Sequence, residues 1–223
     1  MLTRILEPEI MASADDAREY DAMDHTAVNA QFVGDLLRTV MDLSRPPLAR
    51  FLDLGVGTAQ IPIELAHRYP AAHVTGIDAA QRMLALADKN ITATGLSDRI
   101  DLVLADAKHL PFADNSFPIV ISNSILHHIA EPRAVVAEAV RVISAGGLLF
   151  HRDLARPNSE EQLHLLVDTY AGTATPYQRR LFGESLRAAL TLEEMQDLVA
   201  TFGFNRETVQ MTSDRHWAWV ATA

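Results

Sequence analysis

The sequence predicts an α/β fold: a mostly parallel sheet with helices on both faces, finishing in an antiparallel hairpin. Three observations lead there. Apolar strand-like runs alternate with helical patterns from residue 50 to about 155, the pattern of a parallel sheet wound through crossover helices. The first of these runs ends in an acid and two alternate glycines, Asp53, Gly55 and Gly57, just ahead of a helical pattern. Two strand-like runs, 205–211 and 216–222, close the chain around the turn-prone Ser213-Asp214.

Residues 13–44 read as a helical N-terminal segment. Ser13 is placed to cap a helix with Asp15, Asp16 and Glu19 near its positive end. Val28, Phe32, Val33, Leu36, Leu37 and Val40 then recur at three- and four-residue spacing, and Ser44-Arg45-Pro46-Pro47 ends the pattern. The segment suits either packing on the sheet or capping a ligand, and the two are compatible. This divides the chain into an N-terminal helical cap, 1–45, and an α/β domain, 46–223.

Within that domain strands are expected over 50–54, 73–77, 100–104, 118–122 and 147–152, with helices over 60–69, 80–93 and 131–143. Right-handed crossovers bring all strand C-termini to one edge, where ligands bind. Helical stretches over 158–171 and about 176–189 form an insertion spanning 155–190. Thr191-Leu192-Glu193-Glu194 is a capping box for one more helix, which Gly203 ends.

Composition narrows the function. Of 223 residues 48% are apolar, enough for a substantial core, yet no apolar stretch is long enough to span a membrane. Met1–Ile10 places acids and a proline where a signal peptide needs a continuous apolar run, so a cytoplasmic protein without membrane insertion is expected. A formal charge of −10 and the lack of a Lys/Arg-rich run disfavour nucleic acid as a partner. The chain has no cysteine, which excludes disulfides, thiolate zinc sites and iron–sulfur clusters. No metal site is expected either, because the nine histidines show no ligand spacing beyond the adjacent His127-His128. A homodimer is compatible with the sequence.

The glycine turn and the acid ending the next strand, Asp78, outline a nucleoside-binding crevice. A dinucleotide fingerprint would be Gly-x-Gly-x-x-Gly, but its third glycine falls on Gln60. Asp-x-Gly-x-Gly-x-(Gly/Ala), with Ala59 in the last place, fits instead. This run resembles the first motif of class I S-adenosylmethionine-dependent methyltransferases. Leu110-Pro111-Phe112-Ala113-Asp114-Asn115-Ser116-Phe117 is similar to a further run of that family, whose closing acid is Pro118 here. Glu184-Ser185-Leu186-Arg187, Thr191–Met195 and Gly203-Phe204 look like its ubiquinone/menaquinone biosynthesis-like branch. The likeness covers about 50–155 well and 183–205 loosely.

The resemblance implies a Rossmann-like seven-stranded sheet with its last strand antiparallel, and S-adenosylmethionine as cofactor. It implies that Asp53 orders the glycine loop of Gly55 and Gly57 and holds the methionine ammonium, and that Thr58 meets the carboxylate. Asp78, followed by Ala79, would take the ribose hydroxyls, although an acid there also suits a helix cap. Met83 suits either adenine packing or core filling. Asp106-Ala107 would read the adenine edge, unless Asp106 is an ordinary turn acid, Asn123 would be a further cofactor contact, and Tyr20 matches a tyrosine that closes over the cofactor.

Asn123-Ser124-Ile125-Leu126 lacks the Pro-Pro-aromatic run of amino-methylating nucleobase enzymes, which points to a small-molecule acceptor. His127 and His128 are candidate proton acceptors, or else pack under the following helix. Arg152 and Arg156 could hold an anionic substrate or pair internally through Asp153. Tyr170 and Arg180 lie on the insertion expected to roof the substrate. Two rival readings are a nicotinamide-dependent oxidoreductase and a cofactor-binding scaffold without turnover.

Overall fold

The computed structural model describes residues 2–7, 26–43 and 49–223. The expected Ser13-capped helix and Tyr20 lie outside them. Seven strands form one sheet: β1 (Arg50–Leu54), β2 (His73–Asp78), β3 (Ile100–Leu104), β4 (Phe117–Asn123), β5 (Ile143–Leu154), β6 (Val209–Met211) and β7 (His216–Thr222). Their order is β3-β2-β1-β4-β5-β7-β6. β1 to β5 run parallel, and β7 pairs antiparallel with both β5 and β6, so β7 is the reversed strand.

The helices are α1 (Thr26–Asp42), α2 (Gln60–Arg68), α3 (Gln81–Thr94), α4 (Pro132–Val142), α5 (Glu160–Ala171), α6 (Pro176–Ala188) and α7 (Leu192–Ala200). The expected capping box forms at Thr191 with Glu194, and a second one forms at Thr175 with Gln178. Each satisfies two backbone donors that a helix start leaves free.

The pleat sends successive side chains to opposite faces, and the core divides accordingly. Phe51, Ile119, Ile121, Leu148 and Phe150 meet Phe32, Val33, Leu36 and Val40 of α1 on one face. Leu52, Leu54, Val120 and Leu149 meet α4, α7, Trp217 and Trp219 on the other. Phe32 stands edge-on to Phe150 at 5.2 Å. Burying one such ring contributes roughly 1.5–3 kcal/mol, so α1 is built into the sheet's packing.

Two strands differ from expectation by more than one residue. β5 starts four residues early and runs to Leu154, because Ile143 already pairs with Phe117. The ladder then slips between Phe117 and Ile119, where β5 bulges through Gly146 and Gly147. Pro118 sits at this slip, where its missing N–H interrupts no ladder. Of the expected 205–211 strand only Val209–Met211 forms, since Arg206–Thr208 makes a 3₁₀ turn. Asn205 Oδ1 accepts a bond of 2.9 Å from Glu207 N and so competes with extended pairing.

Candidate active site

The chain leaves β1 toward β2 and β3 on one side and reaches β4 and β5 on the other, so the strand order reverses beside β1. Open α/β sheets bind ligands at such a point, outside the strand C-termini. A cleft of roughly 920 Å³, counting its open mouth, lies there. Its walls come from four strand ends: Gly55 and Gly57 after β1, Asp78–Ala80 after β2, Ala105–Lys108 after β3, and Asn123–Ile125 after β4. Met83, His128 and Ile129 complete it.

The glycine loop is tied to β2 by its own backbone. Gly55 N and Val56 N both donate to Ile77 O, at 2.9 and 2.8 Å. Asp78 then accepts from Gly57 N through Oδ2 at 3.0 Å and from Ala80 N through Oδ1 at 2.8 Å. Burial pushes the Asp78 carboxyl up, and these N–H groups oppose it. Gly55 has φ 75°, and a Cβ there would lie 2.8 Å from Ile125 Cδ1. Gly57 has φ 55°, and a Cβ there would meet no atom within 4 Å.

Ala59 is also left-handed, at φ 64°. That conformation costs an L-residue roughly 1–2 kcal/mol. A glycine would lose the fully buried methyl, worth roughly 0.8 kcal/mol, and add backbone entropy of roughly 0.5–1 kcal/mol. The terms nearly cancel, which explains alanine where the motif has glycine.

Asp53 and Thr58 are each 2% exposed and lie behind the loop rather than in the cleft wall. Burial, with Asp78 close by, holds the Asp53 carboxyl well above the usual carboxylate range. Met83 packs with Ala80 and Leu86 and also lines the cleft. Asp106 turns its carboxylate onto its own loop, accepting from Lys108 N at 2.9 Å and pairing with Lys108 Nζ at 3.3 Å.

Across the cleft, the 3₁₀ turn Leu126–His128 is held from beneath by Asp153. Its Oδ2 accepts from Leu126 N at 2.6 Å and His127 N at 3.2 Å, and Oδ1 lies 2.6 Å from His127 Nδ1. Burial opposes a charged His127, but Asp153 and Glu7 together outweigh it and raise the imidazole. His128 is lowered by burial and by His127. Residues 2–7 cross this turn: Arg4 donates to Ile129 O at 2.9 Å and to Ala188 O at 2.6 Å. Glu7 is thereby set against both histidines, its Oε1 3.1 Å from His128 Nδ1 and 3.5 Å from His127 Nε2. The three donor atoms lie within 4.8 Å of one another, close enough to share a cation or a proton. The adjacent histidines do converge once Glu7 joins them.

Residues 52–151 match the family model of the methyltransferase domain. A demethylmenaquinone methyltransferase of Desulfitobacterium hafniense is 29% identical over 73% of this chain and 69% of its own length. Malonyl-[acyl-carrier protein] O-methyltransferase of Geobacter sulfurreducens is 36% identical over 59% of this chain. The ubiquinone/menaquinone biosynthesis C-methyltransferase UbiE of Desulfotalea psychrophila is 33% identical over 63%. The chain spans about half the length of these last two, 47% and 56%. In fold it is similar to the plantazolicin methyltransferase BpumL in complex with SAH, with a TM-score of 0.73 and 15% identity over 93% of this chain and 90% of that one. The chain carries a class I S-adenosylmethionine-dependent methyltransferase domain over these matched residues.

The methyltransferase cleft fits that cofactor. The open space at the Gly57 Cβ position lets a ligand lie against the backbone. Asp78 supplies a carboxylate with lone pairs beyond the two its backbone donors use. Ile77, Met83, Ala107 and Ile129 supply apolar walls.

The substrate-side candidates lie elsewhere. Arg152 is buried, ion-paired to Asp35 and close to the rings of Phe32 and Phe150. Arg156 donates to Ala189 O and pairs with Glu194, not with Asp153. Tyr170 bonds Asp214 and carries Arg215 on its ring, while Arg180 is exposed beside Glu184 and Tyr177. None of the four lines the cleft. Their charges are engaged in pairs with residues remote in sequence or with surface neighbours.

Three features escaped the sequence reading. Lys108 lines the cleft, and its place two residues after Asp106 is the spacing of an Asx turn. Arg141 of α4 clamps the Leu110–Asp114 run, donating to Leu110 O, Phe112 O and Asp114, and only the spacing Glu138-x-x-Arg141 hints at this. Glu7 had no local signal at all.

Proposed function

We propose that this enzyme methylates a small-molecule acceptor held at the Asn123–Ile125 and His128 end of the cleft. Asp78 receives the ribose hydroxyls, Met83 and Asp106-Ala107 flank the adenine, and the Gly55–Gly57 loop receives the methionyl group, with Asp53 acting on its ammonium from behind the loop. The bound cofactor supplies a methyl group on a sulfonium, a carbon already activated for in-line displacement. The protein's share is then mainly alignment, which can contribute on the order of 7–11 kcal/mol.

The observation that carries this reading is the Asp78 carboxylate, locked by Gly57 N and Ala80 N at the cleft wall. Quinone and malonyl-carrier acceptors named for the relatives support a small acceptor. The charge of −10 argues against nucleic acid. Among the described residues no helix is long and apolar enough to cross a membrane, and we infer a cytoplasmic enzyme. A homodimer is tested by light scattering. Calorimetry with S-adenosylhomocysteine tests the site: Asp78→Ala should weaken binding at least tenfold, and unchanged affinity would overturn the assignment.

A further inference from the structure

We infer that Glu7 is a positioning residue. It holds His128 in the Nδ1–H tautomer, so that Nε2 offers its lone pair to the cleft and takes the acceptor's proton.

Three observations carry this, and it rests on the proposed location of the acceptor. First, Glu7 Oε1 is buried and has no closer donors among the described residues than the two ring nitrogens, His128 Nδ1 at 3.1 Å and His127 Nε2 at 3.5 Å. The geometry is bent, short of an ideal hydrogen bond, but a ring nitrogen facing a buried carboxylate is stable only with its hydrogen on it. A neutral His128 then has an unprotonated Nε2. Second, His128 lines the cleft, and no described residue bonds its Nε2. Third, the local charge is complete with one proton. Asp153 and Glu7 bring two negative charges and Arg4 one positive, and a proton on His127 balances them. A divalent ion in its place would leave an excess positive charge beside Arg4.

Glu7 and His127 face His128 from behind, with Asp153 beyond His127. Asp78, Asp106 and Lys108 share its cleft. The acceptor's proton passes to Nε2 while its electron pair stays on the nucleophile that takes the methyl group. The imidazolium then returns the proton to solvent through the cleft mouth. Residues 2–7, fixed by Arg4 and by Ser185 on Glu7 Oε2 at 3.4 Å, thereby become part of the acceptor site.

Long-range ¹H–¹⁵N NMR of the histidine rings in the full chain tests this without an acceptor. The expected result is His128 protonated at Nδ1 and unprotonated at Nε2. Glu7→Ala should convert it to a mixture dominated by Nε2–H. Glu7→Gln keeps an acceptor oxygen, so it should retain the tautomer while the ring pKa falls. An Nε2–H tautomer in the native chain, or a tautomer unmoved by Glu7→Ala, would overturn the inference. So would a spectrum that changes when EDTA is added, because the trio would then be holding a metal. S-adenosylhomocysteine binding in all three proteins is the control. Its loss in the native chain would count against the cofactor cleft and leave the tautomer result to be judged alone.

Discussion

Asp78 Oδ2 accepts a 3.0 Å hydrogen bond from Gly57 N, joining the tip of β2 to the loop that follows β1. The same carboxylate accepts from Ala80 N, two residues on, an Asx turn ahead of α3 rather than a helix cap, since the N-cap is Ala80 and no side chain caps it. These two bonds orient the carboxylate at the cleft wall.

The two loop glycines should fail differently. Gly55→Ala adds left-handed strain of roughly 1–2 kcal/mol and drives a methyl into Ile125, for a further roughly 1–3 kcal/mol. Gly57→Ala carries the strain alone, because its Cβ position is open. Urea unfolding should show the larger loss for Gly55→Ala. Calorimetry should show cofactor binding weakened for Gly57→Ala even where the fold survives.

Asp53 should couple cofactor binding to protons. Burial and Asp78 hold its carboxyl up in the free protein, and a cationic ammonium nearby favours the ionised form. Binding then releases a proton, and affinity rises with pH until Asp53 is ionised in the free protein. Calorimetry in buffers of different ionisation enthalpy should detect the release, and Asp53→Asn should abolish it.

His151 should make the fold acid-sensitive. It is 1% exposed, neither ring nitrogen has a hydrogen-bond partner among the described residues, and burial lowers it to about 4. Its folded pKa lies below the unfolded value of roughly 6.5, so the unfolded chain takes up the proton first. No penalty exists above that value. Between it and about 4 stability falls by on the order of 3 kcal/mol. His151→Leu should flatten this part of the urea-midpoint profile against pH, and an unchanged slope would assign the sensitivity to other groups.

Arg152 should behave as a structural residue. Removing one partner of a fully buried pair costs roughly 3–5 kcal/mol, and less is expected here, because Asp35 is partly exposed and keeps its pair with Arg38. Arg152→Ala should lower the urea midpoint by a corresponding amount. Arg152→Met with Asp35→Leu should recover much of it, with affinity for S-adenosylhomocysteine intact in both.

Legibility followed range. β1, β3 and β7 begin and end where alternation and turn residues place them, and Gly55, Gly57, Asp78 and Asp106 reach one cleft because each ends a strand of the same parallel sheet. Arg152 and Arg156 were harder to read. A buried guanidinium and a ligand-binding one look alike until the partner is known, and Asp35 and Glu194 are far away in sequence.

What the sequence by itself determined is the backbone of the binding edge: strand periodicity, crossover handedness and the φ demands of a tight turn are local properties. Tertiary structure alone decided which charges meet. Glu7 reaches His128 across more than a hundred residues because Arg4 anchors its segment on the 3₁₀ turn and α6. Electrostatic pairing depends on distance in space, and no spacing along the chain encodes that.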